Sequence, residues 1–255
     1  MNKGFVNTEI KNQISEITFG TEKSNSLPGE ILEKLAQTIL DEGVNPEVKA
    51  ILLKSAGEKA FCAGASFDEL LSIEELETSK RFFGGFAKVL NAMRNCGKLV
   101  IVRVQGKTTG GGVGIACAAD YCFATKDAAM ALTELNLGIG PFVIGPYVER
   151  KIGKSAYAAM SIDADFRSAD WCEKHDVYHS VSSTIAEMDT ELHNFLEKLS
   201  HRSSDALALI KKVSWEGTEH FESLMPERIH MSASLILEDS AKKNIEMIKE
   251  RLRAK

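Results

Sequence analysis

The sequence predicts an α/β fold built on a largely parallel sheet. Three observations carry this. Apolar, β-branched runs at Val48–Leu53 and Leu99–Val104 have the composition of strands buried on both faces. Strand-like and helix-like segments alternate along the N-terminal part of the chain, the order of right-handed βαβ units. From Gly145 onward the pattern is helical almost throughout, apart from one candidate strand at Val177–Val181.

The elements follow in order. Residues 5–19 alternate well enough for two short strands. Ser26-Leu27-Pro28-Gly29-Glu30 reads as a helix start, with Pro28 near the first turn. Ile31, Leu32, Leu35, Ile39 and Leu40 keep helical spacing until Gly43 and Pro46 end the helix. Phe67, Leu70 and Leu71 form a second helical pattern, and a longer one runs from Ser79 to Met93. After the Leu99–Val104 run comes a short turn and a glycine cluster. Val113–Ala119 then reads as a helix of small residues, Tyr121–Ala124 as a strand and Ala129–Leu132 as a shorter one. Ala206–Trp215 and Pro226–Leu252 are amphipathic and rich in charge. No repeat or low-complexity segment is visible.

A chain of 255 residues suits one domain plus an appendage, and 44% hydrophobic content supports a sizeable core. A net charge of −5 argues against nucleic acid or an anionic membrane as partner. Met1-Asn2-Lys3-Gly4 leads straight into a strand pattern, so no secretory leader is expected. No apolar run is long enough to span a bilayer. Cys62, Cys96, Cys117, Cys122 and Cys172 are odd in number and contain no C-x-x-C pair, a usage that fits free thiols in a cytoplasmic, reducing compartment. Their apolar neighbours mark several of them as small core fillers.

Two small-residue loops and one carboxylate stand out. The loops are Phe61-Cys62-Ala63-Gly64-Ala65 and Gly110-Gly111-Gly112-Val113-Gly114; the carboxylate is Glu134. Loops without bulky side chains can aim backbone N–H groups at a ligand oxygen. A Walker phosphate loop is excluded because no Gly-Lys-Ser or Gly-Lys-Thr follows the glycines. A dinucleotide fingerprint fits poorly, since Cys117 holds the third glycine position and a six-residue turn separates strand from motif. An oxyanion loop at a helix N-terminus fits better, although tight packing of small residues remains open. Glu134, flanked by Leu132, Leu135 and Leu137, suits a half-buried general base or a salt-bridged structural glutamate; its context does not choose. His175 and His179 are four residues apart, as metal ligands can be. The β-leaning residues between them and the want of a third ligand argue against a metal site. Glu74-Glu75-Leu76-Glu77 is most simply a solvated face.

Taken together, these segments resemble the crotonase, or enoyl-CoA hydratase/isomerase, superfamily over nearly the whole chain. The resemblance rests on Asn25-Ser26-Leu27, Ala60-Phe61-Cys62-Ala63-Gly64-Ala65, Val104-Gln105-Gly106 leading to Gly110-Gly111-Gly112, Ala119-Asp120-Tyr121, Glu134 with Leu137-Gly138, and Gly153-Lys154. It implies a spiral of ββα turns over residues 1–200 and a helical trimerisation region over 201–255, assembled as trimers or hexamers. It also implies an acyl-CoA thioester substrate, with coenzyme A part of the substrate and no separate cofactor. The N–H groups of Ala63 and Gly111 would form the oxyanion hole, and Ala63, Gly64, Ala65 and Ser66 would line the coenzyme A path.

This chain departs from the family pattern at three places. Hydratases of this kind carry a second glutamate where Gly114 stands here. An aspartate common after the first loop is Ser66. The glycine-rich turn is bulkier, Ile139-Gly140-Pro141-Phe142-Val143-Ile144-Gly145-Pro146, so Phe142 and Val143 are expected to shape the acyl pocket. The variant resembles bacterial branches labelled methylglutaconyl-CoA hydratase-like. With Glu134 as the single catalytic carboxylate, the expected reaction is 3-enoyl to 2-enoyl isomerisation, which one base can complete. Hydration is the alternative if Asp68 or Glu69 supplies the missing acid. A non-catalytic acyl-CoA or RNA binder is another class, though Lys107, Lys211 and Lys212 are too dispersed for a basic patch.

Overall fold

The computed structural model describes residues 4–253. The chain opens with β1 (Phe5–Lys11) and β2 (Ile14–Gly20), then α1 (Gly29–Val44), β3 (Ala50–Ser55), β4 (Ala60–Cys62), α2 (Phe67–Leu70) and α3 (Leu76–Asn95). It continues through β5 (Leu99–Val104), β6 (Lys107–Thr109), α4 (Gly111–Cys117), β7 (Tyr121–Thr125), β8 (Met130–Ala131) and a 3-10 turn at Glu134–Leu137. There follow α5 (Gly145–Asp163), α6 (Ala169–Lys174), β9 (Ser180–Ser182), α7 (Ile185–Ser200), α8 (Ser204–Ser214), α9 (Phe221–Leu235) and α10 (Asp239–Arg253). Among the described residues no helix is long and apolar enough to cross a membrane.

The main sheet has the order β1-β2-β3-β5-β7-β9. Only the β1–β2 hairpin is antiparallel. Its two-residue turn holds Asn12 and Gln13 at φ 47° and 65°, the backbone of a hairpin turn matched to strand twist. The interleaved strands β4, β6 and β8 form a second parallel sheet. Thus β3, β5 and β7 each pass directly into a short strand of the other sheet. This is the ββα spiral that the resemblance implies, a repeat of topology with no repeat of sequence.

Strand alternation divides the core. Ile51, Leu53, Val100, Val102 and Val104 face α1, α3 and α4. Leu52, Ile101 and Phe123 point the other way, onto Met188, Leu192 and Leu196 of α7. Coverage of both faces is why these strands read as continuous apolar runs. A third cluster joins Leu70, Ile139, Ile236, Ala241 and Ile245, so α10 packs beside the glycine-rich turn.

Several elements differ from the sequence expectation. β3 runs two residues further, because Lys54 pairs with Arg103 and Ser55 with Phe19; Val48 is buried but lies before the strand. β9 begins at Ser180 rather than Val177. The predicted 226–252 helix is two helices, α9 and α10, separated at 236–238. The helix from Gly145 breaks at Gly153, where φ is 78° and ψ 158°.

Two side chains fix the crossing between the sheets. Asn25, at φ 56°, donates to the carbonyls of Ala56 and Ala60. Gln105 reaches Ser55 Oγ and the carbonyls of Gly57 and Ala60. Next to Gln105, a Cβ on Gly106 would stand 2.2 Å from the Lys59 carbonyl oxygen and 2.9 Å from its carbon. Neither backbone atom can yield without breaking the β4–β6 pairing of Ala60 with Lys107. Gly106→Ala is therefore expected to destabilise the protein by about 3 kcal/mol. A chemical-denaturation midpoint equal to wild type would disprove this.

Candidate active site

A cavity of about 570 Å³ opens where the ends of the small sheet meet the helices. Its walls are the Ala63–Ala65 loop, Gly110–Gly111, the Glu134 turn and the 139–144 segment. Phe82, Phe83 and Phe86 of α3 supply an aromatic wall, while Ser232 of α9 and Ile248 of α10 close another side. The structure thus brings Ala63, Gly64, Ala65, Gly111, Glu134, Phe142 and Val143 around one space. Ser66 is not among the lining residues. It is 2% exposed, and it caps α2 by accepting from the Glu69 amide. The Ser66-x-x-Glu69 spacing is a helix-start signature that could have revealed this role.

The first loop is held against the N-terminal segment. Leu27 N–H donates to Gly64 O at 2.8 Å, and Ala63 N–H donates to Ser24 O at 3.2 Å. Gly64 takes φ 85°, a left-handed backbone that favours glycine. The second loop turns at Gly110, φ 53°, whose own N–H is bonded to Ala131 O. Gly111 then begins α4, where amides have no intrahelical acceptor. A Cβ on Gly64 would lie 3.5 Å from Gly111 N, so the two loops are in contact. The two loops that carry the amides expected to bind an oxyanion are therefore neighbours. Gly111 N–H lies in an unpaired first turn, whereas Ala63 N–H already has the Ser24 carbonyl as partner.

Glu134 follows β8 and enters the cavity through its 3-10 turn. Its Oε1 lies 3.4 Å from where a Gly110 Cβ would stand. Its Oε2 is buried without a hydrogen-bond partner. Burial pushes this carboxyl up to about 7, and its own backbone amide offsets only part of the effect. No cation pairs with Glu134 among the described residues. The salt-bridged alternative that the sequence left open thus finds no partner among the described residues.

The vacant second-glutamate position is also filled. A Cβ on Gly114 would meet Ile144 Cγ2 at 2.7 Å and Leu90 Cδ1 at 3.2 Å. Ile144, from the bulky 139–146 turn, occupies that volume. Neither candidate substitute lines the cavity: Asp68 pairs with Lys23, itself a lining residue, at 2.5 Å, and Glu69 accepts from the Gly29 amide at 2.8 Å. Glu134 is the only carboxylate among the lining residues described.

The two histidines weighed as metal ligands have separate partners. His175 stacks on Trp171, and His179 Nδ1 accepts from the Cys122 amide while its ring stacks on Tyr121. The five cysteines are all buried.

Fold and site together place the chain in the crotonase class. It belongs to the enoyl-CoA hydratase/isomerase family, whose sequence profile matches residues 9–255. Carnitinyl-CoA dehydratase of Escherichia coli K12 is 35% identical over 130 residues, 50% of this chain and 48% of that protein. The human mitochondrial 3-hydroxyisobutyryl-CoA hydrolase is 35% identical over 119 residues, 44% of this chain and 30% of that protein. The matched stretch spans about half or less of these relatives' length. The crystal structure of enoyl-CoA hydratase from Bacillus halodurans superposes with a TM-score of 0.88 at 20% identity, covering 95% of this chain and 99% of that one.

Proposed function

We propose that the protein isomerises 3-enoyl-CoA to 2-enoyl-CoA thioesters. The observation that carries this is the lone Glu134 carboxylate in the cavity, its Oε2 buried and unpartnered, with Ile144 in the space a second acid would need. Glu134 removes the proton from C2. The C–H electron pair moves into the thioester, and negative charge collects on its oxygen. The Gly111 amide receives that oxygen, and the Ala63 amide does so by sharing or releasing its bond to Ser24. Each such donor is worth about 3 kcal/mol in the transition state. Protonated Glu134 then returns the proton to C4, leaving the double bond between C2 and C3. No water has to be held or split. A carboxyl near 7 is also a stronger base than an ordinary glutamate, yet about half ionised at neutral pH.

The test is to add a trans-3-enoyl-CoA and follow the absorbance of the conjugated thioester. A rise that persists is expected. A rise followed by decay would show that the enzyme also hydrates its product; no rise, or release of free thiol in its place, would overturn the isomerase reading.

Assembly as a trimer or hexamer through residues 201–255 belongs to the same reading. Leu209, Ile210 and Val213 of α8 each leave more than half their surface exposed, a patch suited to a subunit contact. The same C-terminal region also closes the cavity through α9 and α10.

A further inference from the structure

Phe142 stands between two cavities. One is the Glu134 chamber. The other, about 540 Å³, is lined by Phe142, Tyr157, Arg150, Lys154 and Arg228 among others. Glu149, Glu216 and His220 complete its titratable lining, so three fixed cations face two carboxylates. The chambers lie back to back. Tyr157 Oη donates to the Pro141 carbonyl at 3.3 Å and is within electrostatic reach of both Glu134 and Arg228. Arg228 and Ser232 stand one turn apart on α9, about 6 Å along the axis; Ser232 lines the first chamber and Arg228 the second. The ring of Phe142 folds over Gly140, where a Cβ would meet it at 2.4 Å.

The cations differ in what they already bind. Arg150 stacks on the Trp215 ring and donates to the Ser214 carbonyl at 2.6 Å. Arg228 has no carboxylate partner among the described residues. Its Nη1 faces only the Met231 sulfur at 3.7 Å, and its Nε is buried with no partner. A buried guanidinium nitrogen without an acceptor is costly, and a carboxylate meets it with paired, charge-assisted bonds. A purely hydrocarbon acyl chain would leave that cost in place.

We propose that the second chamber is the far end of the acyl site, and that the acyl group carries a carboxylate at its distal end, bound by Arg228 when Phe142 turns aside. This rests on the reading of the Glu134 chamber as an acyl-CoA site. The apolar wall of Phe82, Phe83 and Phe86 holds the hydrocarbon segment, and the charge lies beyond Phe142. Specificity between acyl groups of equal length is then set at Arg228, away from the reacting carbons.

The test is equilibrium binding of two saturated CoA thioesters of equal chain length, one ending in methyl and one in carboxylate. Saturated thioesters report binding without turnover. Wild type is expected to prefer the carboxylate by about ten-fold or more, as a charge-assisted hydrogen bond supplies. Arg228→Gln should bring the affinity ratio towards one, and Arg228→Lys should keep part of it. Equal affinities in wild type, or a preference that survives Arg228→Gln, would overturn the proposal alone. Binding of neither thioester would remove the acyl-CoA reading and this proposal with it.

Discussion

Replacing Glu134 with glutamine is expected to lower kcat by about 10³-fold or more while acyl-CoA affinity stays close to wild type. A positioned general base contributes about 10²–10⁴-fold, and in the proposed isomerisation one carboxylate performs both the removal and the return of the proton. Glutamine keeps the size and the cavity shape but can do neither. The wild-type rate should rise with pH through an apparent pKa of about 7, because burial holds the carboxyl protonated below that value. The same shift predicts an effect on stability. The folded pKa lies above the unfolded value, so the folded state binds more protons between about 4.5 and 7. The site costs nothing below that window. Its cost accumulates as pH rises and is fully present above about 7, where it reaches about 3 kcal/mol as an upper figure. Glu134→Gln should therefore match wild-type stability near pH 4 and exceed it near pH 8. Denaturation of both proteins across that range measures the difference. A variant that retains turnover, or a stability gap that does not widen with pH, would sink the assignment of Glu134 as an ionisable buried base.

The residues that made the fold legible are those whose surroundings are regular. Leu99–Val104 was readable to the residue because both faces of β5 are buried and Gly97 and Gln105 flank it. β4 and β6 have three residues each, too few to show a period, so the Lys107–Thr109 segment reads as a turn. Their existence depends on pairing with each other across the sequence. The two small-residue loops were readable because a positive φ and close backbone contact restrict positions such as Gly64 and Gly110 to one residue type. Glu134 was readable as a carboxylate but not as a base: whether a cation stands beside it is a tertiary fact. The occupation of the Gly114 position by Ile144 was equally invisible, since it depends on how the 139–146 turn folds back over α4. The Phe82-Phe83-x-x-Phe86 cluster gave a usable signal of an aromatic helix face, but none of where that face pointed.

Lys211 shows the limit most clearly, and it carries the largest expected effect on stability. In the sequence it is one of several dispersed basic residues. In the structure it is 3% exposed. Its Nζ donates to Asp120 Oδ2 at 2.8 Å and to the Met93 carbonyl at 2.6 Å. Asp120 also accepts from the Val100 amide at 2.7 Å and from Trp215 Nε1 at 2.7 Å. The carboxylate thus ties the segment after α4 to the start of β5, and both to α8. Lys211→Met keeps the length of the side chain but leaves Asp120 as a buried charge without its cation. The expected loss is about 3–5 kcal/mol. Asp120→Asn together with Lys211→Met removes both charges and should recover a large part of that loss, giving a coupling above about 1 kcal/mol. Additive losses in the double variant would mean that the pair acts only through packing. Because α4 begins with Gly111, loosening this clamp should also disturb the amide proposed to hold the oxyanion. Lys211→Met is accordingly expected to lower kcat even at temperatures where the variant remains folded, although no atom of Lys211 lines the cavity.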